Sequence, residues 1–263
     1  MVWTQRLARW LFIIEGLPAL LFGFVTWFYL TDWPRDASWL SREERDWLIA
    51  RLTAESEARR SIRSYTVWQA VRDWRILLLT LAYFLHAAIA YTFVFFLPTI
   101  LKRLTGLPDF RVTVIVSLFY VVSLIAMQFN GWHSDYVCEH RWHTAIPSLV
   151  CGLCLLFIPS SNIGVWPTVL LLGLANGCLL AFVISFWGIP SAFLGEMAGA
   201  ASTGLINCIA LMGGFAGPYL TGHLAARSHS FESSFLWMMI AAFVAGVAVL
   251  IVRVRPLPSH PAT

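Results

Sequence analysis

The sequence has no aspartate, glutamate, lysine or arginine between Trp142 and Gly195. A bilayer core is about 30 Å thick and a helix rises about 1.5 Å per residue, so about 20 apolar residues cross it once. The uncharged stretch is more than twice that length and must therefore fold back on itself. Residues 159–167 supply the turn, because two prolines there flank polar and glycine residues. We predict two membrane spans, split near Asn162.

Five more apolar runs are long enough to cross a bilayer. They cover residues 10–30, 76–101, 112–132, 199–225 and 235–252. The fold class predicted from these runs is an all-α membrane protein with seven transmembrane helices. Its predicted parts are a first transmembrane helix (1–30), a polar cytoplasmic segment with an amphipathic helix (31–75), a six-helix bundle (76–252) and a tail (253–263).

The composition agrees with a lipid environment. Hydrophobic residues make up 59% of the chain and charged residues only 12%, whereas a soluble protein carries about 25% charged residues. The formal net charge is +4, but the basic residues lie between apolar runs and form no continuous stripe. We therefore predict a lipid bilayer as the surroundings of the chain and no nucleic-acid partner.

The distribution of basic residues predicts the orientation, because lysine and arginine near helix ends are retained on the cytoplasmic side. If the polar segment 31–75 is cytoplasmic, that side of the membrane holds twelve basic residues and the other side six. This difference predicts a multi-pass protein of the inner (plasma) membrane, with its C-terminus in the cytoplasm and its N-terminus outside.

The polar segment contains a helix-start pattern. Ser41 and Glu44 have the spacing of a capping box, in which each side chain bonds the backbone N–H of the other residue. A helix is predicted to follow. Its mixed amphipathic pattern leaves two alternatives open, a helix lying against the membrane face of the protein or a solvated charged linker.

Catalytic and metal-binding patterns are missing from the sequence. The apolar spans contain no paired carboxylates, no supported Ser/His/Asp arrangement and no phosphate-binding glycine loop. Cys151 and Cys154 form a C-x-x-C, but apolar residues flank them as in a membrane helix. The loop from His133 to His143 is rich in histidine, yet its spacing matches no zinc pattern. We predict no enzyme activity, no metal and no cofactor.

Polar side chains inside membrane spans are costly unless they have partners, so each is a functional candidate. The candidates are Glu15, His86, Tyr91, Asn176, Ser185, Trp187 and Asn207. Asn207 stands out, because a mid-span amide offers two donors and an acceptor to a carboxylate or hydroxyl. The alternative for Asn207 is an interhelical hydrogen bond. Trp187 could present its indole to a ligand or simply pack.

Glycine is dense in the span at 199–225. Gly213 and Gly217 form a G-x-x-x-G pair, which lets helix backbones approach closely in lipid. Pro218 follows directly, and glycine with proline weakens a helix where transporters form a binding site or gate. We predict tight packing, bending, or both in this span.

Three segments resemble one known family. Residues 9–19, 186–194 and 213–222 are similar to the sixth, tenth and eleventh helices of the anion:cation symporter family of the major facilitator superfamily, in particular its tartrate, phthalate and hydroxyphenylacetate permeases. The family has twelve helices in two halves. The resemblance therefore implies that the seven spans correspond to helices 6 to 12, with the five N-terminal helices missing.

The resemblance also implies site residues. Trp187 and Asn207 fall on positions that line the family's central substrate cavity, Tyr91 falls on the cavity face of the seventh helix, and Ser185 is a weaker candidate.

The resemblance extends to one loop. Gly131, Asp135 and Arg141 look like the superfamily's cytoplasmic gating loop. Tyr136 and His140 replace basic residues usual in that loop, and Cys138 replaces a glycine.

The function implied is transport of a small organic anion, a carboxylate, by symport with a proton or a sodium ion. The arginine that meets the anion and the acidic residues that carry the coupling proton normally lie in the missing five helices. The chain would thus be the C-terminal part of a permease, and a separate N-terminal half is a candidate partner. The alternative is a truncated or split membrane fragment that acts only as a packing partner, without transport by itself.

Overall fold

The computed structural model describes residues 2–61, 67–159, 164–192 and 196–253. Within these ranges the chain is helical and contains no strand. The helices are α1 (Val2–Tyr29), α2 (Arg42–Ser61), α3 (Val67–Arg72), α4 (Trp74–Thr105), α5 (Asp109–Tyr136), α6 (Arg141–Phe157), α7 (Val165–Phe186), α8 (Gly188–Ser191), α9 (Glu196–Ser228) and α10 (Glu232–Ile251). The chain divides into two compact units, residues 1–61 and residues 62–263.

The first unit contains α1 and α2. Residues Phe12–Tyr29 of α1 are long and apolar enough to cross a membrane, and none of their side chains is buried. The helix predicted after Ser41 is present as α2. The Ser41 hydroxyl donates to Glu44 Oε2 over 2.8 Å, and the Glu44 backbone N–H donates to Ser41 Oγ over 3.2 Å. The hydrogen bond from the Ser41 hydroxyl lowers the pKa of the Glu44 carboxyl.

The second unit is a helix bundle around α4. Helix α4 packs against α9 and α10, while α6 packs against both α7 and α10, and α5 lies on α7. Its core has two clusters. One includes Leu79, Phe182, Phe186, Ile206 and Val249, and the other includes Phe93, Leu97, Leu155, Leu172 and Met238. Burial of these side chains joins segments that are far apart in the sequence.

Helices α4 and α9 touch backbone to backbone. A methyl group added to Gly213 would collide with the Phe84 carbonyl oxygen, and one added to Gly217 would collide with the Ala88 carbonyl oxygen. Hydrogen is therefore the side chain that fits at these two positions. Pro218 lies inside α9, which continues past it to Ser228.

The predicted spans are helices in the structure, with different lengths. Among the residues that the structure describes, six helical segments are long and apolar enough to cross a membrane. The remaining predicted span, the first of the two in the uncharged stretch, is α6, an apolar helix of 17 residues. Most of the others extend beyond the predicted limits, as α4 does in reaching Thr105. The reason is that helical backbone hydrogen bonding continues into the polar residues at both ends of an apolar run, which hydropathy does not register.

The span predicted to end at Gly195 is interrupted earlier. Helix α7 ends at Phe186 and the short helix α8 begins at Gly188. Pro190 has no backbone N–H to donate to Phe186, which removes one bond of a continuous helix. The predicted turn lies between α6 and α7, but Asn162 and residues 254–263 of the tail lie outside the described residues.

Candidate functional site

An aromatic cluster surrounds Trp187 where α7 meets α8. The Tyr83 ring of α4 stacks on Phe186 with centroids 4.7 Å apart and meets the Trp187 indole edge-on at 5.1 Å. His86, one turn further along α4, stacks on Phe182 at 4.1 Å. Rings from two helices therefore hold the half-buried indole in place.

Tyr91 of α4 contacts the side of α9 that carries Asn207. A methyl group at Gly214 would lie 2.9 Å from the Tyr91 ring, so Tyr91 of α4 rests on α9 at that point. Gly214 is seven residues from Asn207, which is close to two full turns, so both residues share one face of the helix. The axial distance between them is about 10 Å at a rise of 1.5 Å per residue. A small molecule could span this separation.

Asn207 faces outward from the bundle. Its side chain is exposed and forms no hydrogen bond with any part of the chain that the structure describes. The same face of α9 carries further exposed residues at helical spacing, namely Gly204, Cys208, Leu211, Met212, Phe215 and Tyr219. A mid-helix amide without a partner is costly in lipid. Its donors and acceptor remain open to a ligand or to another protein surface.

Ser185 has a different environment. It is buried, and its hydroxyl accepts a hydrogen bond of 2.9 Å from Asn130 Nδ2 of α5. The same amide nitrogen is 3.0 Å from the His143 carbonyl oxygen of α6 and 2.9 Å from the Ala181 carbonyl oxygen of α7. Asn130 thus joins three helices, and Ser185 belongs to this interhelical network.

The three residues of the predicted gating pattern flank the α5–α6 loop, with Gly131 and Asp135 in the last turns of α5 and Arg141 at the start of α6. A methyl group at Gly131 would lie 3.0 Å from Ile184, so α5 and α7 approach closely there. Asp135 is exposed, with its Oδ1 3.9 Å from His140 Nδ1. Arg141 Nη2 donates to the carbonyl oxygen of Leu250 near the end of α10. The helices on either side of the loop are therefore in contact with α7 and α10.

His140 connects this loop with the aromatic cluster. Its Nδ1 lies 2.7 Å from Ser134 Oγ, and its ring lies against Gly188, where an added methyl group would be 2.6 Å from the ring. Gly188 directly follows Trp187 in the chain. The position of the loop and the position of the indole are consequently linked by one close contact.

The loop histidines form a hydrogen-bonded chain. His133 Nδ1 is 2.7 Å from His143 Nε2, and His143 Nδ1 is 3.2 Å from Glu139 Oε2. These ring nitrogens satisfy one another instead of pointing at a common centre. No group of three or more potential metal ligands occurs within the described ranges.

Two residues of this region were not predicted from the sequence. Asn130 is an amide within an apolar run, and the rule that selected Asn207 would have selected it too. Tyr83 has no such signal, because its role comes from a contact with Trp187, which is distant in sequence. Asn176 was a candidate, and its Nδ2 donates to Ser123 Oγ over 2.9 Å inside the bundle.

Comparison with known proteins gives relatives along most of the chain. A "Putative tartrate transporter" of Agrobacterium vitis is 32% identical over 252 residues, which are 96% of this chain and 57% of that protein. A second A. vitis protein of the same name is 32% identical over 243 residues, 92% of this chain and 54% of its own length. The "Quinolone resistance transporter" of Acinetobacter baumannii is 27% identical over 90% of this chain and 56% of its own length.

The chain therefore spans a little over half the length of these relatives. Their names are those of transporters and not of enzymes. The family model of the Major Facilitator Superfamily matches residues 2–210, and with its apolar helices the chain is a multi-pass membrane protein. From this match, which covers most of the sequence, we conclude that the chain belongs to the Major Facilitator Superfamily.

Proposed function

We propose that this chain forms the seven-helix C-terminal part of a permease that carries a small organic anion through the inner membrane. Its apolar helices would correspond to helices 6 to 12 of the superfamily fold. Support comes from the three resembling segments and from the tartrate named in the two A. vitis relatives. Tartrate, a dicarboxylate with two hydroxyls, is the first substrate to test.

The observation that carries this proposal is the unpartnered amide of Asn207. Its N–H groups can donate to a carboxylate, and its oxygen can accept from a substrate hydroxyl. Tyr91 of α4 lies against the same face of α9 and presents a phenol hydroxyl. Trp187 supplies an indole N–H and an apolar ring surface. We assign Ser185 to the hydrogen bond with Asn130, which supports the helices behind this wall.

Coupling to a proton or a sodium ion is the second part of the proposal. An anion entering a negatively charged cytoplasm moves against the membrane potential, at about 2.3 kcal/mol per charge per 100 mV. Symport with at least one cation per anionic charge offsets that electrical term. The described spans of the bundle contribute neutral polar groups to the wall, so we place the ion-coupling groups in another part of the protein.

The proposed orientation follows from the basic residues. The C-terminus and the α5–α6 loop would face the cytoplasm, where Gly131, Asp135 and Arg141 would act as a gate. The Arg141 bond to the Leu250 carbonyl would hold the gate closed on the α10 side. Trp187 would respond to the gate through the contact between His140 and Gly188.

We further propose that the exposed face of α9 meets a second, N-terminal part of the permease, in the same polypeptide or a separate one. The substrate would be held between this part and the wall formed by α4, α7 and α9. By itself the chain would then bind weakly and not transport. A chain that serves only as a packing partner is the competing proposal, and it predicts no carboxylate uptake under any condition.

The test is uptake of labelled tartrate by membrane vesicles. One set contains this chain alone, and another contains the chain produced together with the N-terminal region of the A. vitis relative. We expect saturable uptake in the second set only, abolished when the proton and sodium gradients are both collapsed. Collapsing the gradients one at a time identifies the coupling ion. Uptake by the chain alone would contradict the proposal that transport requires the N-terminal part.

The binding residues are tested in the same vesicles. Loss of one hydrogen bond to a charged group costs about 1.5–3 kcal/mol, so Asn207→Ala should raise the KM for tartrate roughly 10- to 100-fold. Cys208→Ala, an exposed neighbour on the same helix, is the matched control and should leave KM unchanged. Equal KM values for the two variants would refute the role of Asn207.

A further inference from the structure

A cavity of about 500 Å³ lies at the junction of α3 and α4. It is lined by Trp68, Gln69, Arg72, Asp73, Trp74 and Arg75. The spanning helix α4 begins at Trp74, so the cavity lies where the bundle enters the membrane. Tryptophan is enriched at this depth, because its ring is apolar and its N–H is polar.

Two tryptophan–arginine pairs frame the cavity. The guanidinium carbon of Arg72 lies 4.7 Å from the centre of the Trp68 ring, and that of Arg75 lies 5.8 Å from the centre of the Trp74 ring. Both indoles are more than half exposed, at 63% and 54%. The guanidinium group is planar, and its fork of N–H donors matches the oxygens of a phosphate.

The residues that line the cavity are more basic than acidic. Arg72 and Arg75 are cations, and Asp73 is the one acid among the lining residues. Asp73 Oδ1 accepts a hydrogen bond of 2.9 Å from the Arg75 backbone N–H, so this carboxylate caps the first turn of α4. The two arginines outnumber this one acid in the lining, which favours an anionic group such as a phosphodiester.

An apolar strip continues from the cavity along α4. Trp74, Leu77 and Leu81 are all exposed, and their spacing of three and four residues places them on one face of the helix. A free phosphate ion has no apolar part that could contact this strip. A phospholipid could place its phosphate in the cavity and an acyl chain along Leu77 and Leu81.

We propose that the cavity between α3 and α4 binds the phosphodiester headgroup of an anionic phospholipid. The lipid would fix the short helix α3 at the membrane surface. Helix α3 packs against α9, the helix that carries Asn207. The bound lipid would thereby also stabilise one end of α9.

The experiment is native mass spectrometry of the purified chain in detergent. Phosphatidylglycerol, phosphatidylcholine and inorganic phosphate are titrated separately. We expect phosphatidylglycerol to bind more tightly than phosphatidylcholine, and millimolar inorganic phosphate to displace little of it. Equal binding of the two lipids would overturn the proposal. Full displacement by inorganic phosphate would overturn it as well, because the cavity would then be a phosphate site.

Substitutions of the two lining arginines test whether the lipid binds in this cavity. Juxtamembrane basic residues contribute about 1 kcal/mol each, so the double variant R72Q/R75Q should weaken phosphatidylglycerol binding roughly 30-fold. Arg103→Gln is the matched control, because Arg103 lies at the other end of α4 with its guanidinium carbon 5.2 Å from the Phe231 ring. An equal loss in both variants would contradict the location. If R72Q/R75Q lost its helical circular dichroism, the lipid preference of the unaltered chain would still decide the proposal.

Discussion

Substituting alanine for Gly217 should weaken the contact between α4 and α9. The new methyl group would lie 2.6 Å from the carbonyl carbon of Ala88 and 2.8 Å from its Cα, besides colliding with the carbonyl oxygen. These are backbone atoms, which cannot move aside by changing a rotamer. Relief therefore requires the two helices to separate, and such overpacking costs about 1–3 kcal/mol.

Gly204 provides the matched control in the same helix. Nothing lies within 4 Å of a methyl group added there. Both variants gain the higher helix propensity of alanine, about 1 kcal/mol or less. The difference between them therefore isolates the steric term of about 1–3 kcal/mol, a roughly 5- to 150-fold change in the unfolding equilibrium.

The assay is unfolding of the purified chain by titration with sodium dodecyl sulfate, followed by far-ultraviolet circular dichroism. We expect Gly217→Ala to unfold at a lower mole fraction of the denaturing detergent than Gly204→Ala. Equal midpoints for the two variants would refute the reasoning, because they would mean that α4 and α9 do not touch at this position.

Three further predictions concern single contacts. Asn130→Leu removes the side-chain donor that its acceptors on α6 and α7 share and should cost about 1–3 kcal/mol, more than Asn176→Leu in the same titration; the reverse order would contradict the network. Gly188→Ala should push the His140 ring away, displace the α5–α6 loop and change the rate at which a maleimide labels Cys138 in that loop. Adding His140→Ala should restore the original labelling rate, and a double variant whose rate stays altered would exclude the ring contact. Because the folded-state pKa of Glu44 lies below its usual value of 4.5, its cap stabilises α2 above that pH and is lost as the pH falls through the folded-state pKa. Hydrogen-exchange protection in the first turn should fall accordingly, and Glu44→Gln should remove this dependence.

Sequence patterns predicted the features that depend on local chemistry. The capping box at Ser41 needs only a neighbour three residues away, and the structure has both of its hydrogen bonds. The uncharged stretch after Trp142 predicted two helices, because bilayer thickness limits the length of a span. Helix ends were less predictable. The early end of α7 depends on Gly188 and Pro190, two residues that are common inside membrane helices.

The arrangement of the site could not be predicted from the sequence, because it depends on contacts between helices that are distant in the chain. The candidates Trp187 and Asn207 were identified by residue type and resemblance, but their burial could not be. Ser185 looked equally available in the sequence. Its burial depends on an amide 55 residues away, and Asn130 finds all its acceptors only after α5, α6 and α7 have packed.

Helix α4 carries two aromatic residues that touch different parts of the wall. Tyr83 meets Trp187 at the end of α7, and Tyr91 rests on Gly214 of α9. Eight residues separate the two tyrosines, about 12 Å of continuous helix. A stretch this short behaves as a stiff rod, so we predict that a displacement of the Trp187 indole would also alter the contact between the Tyr91 ring and α9. If the proposed wall binds a ligand, its α7 side and its α9 side would then respond together.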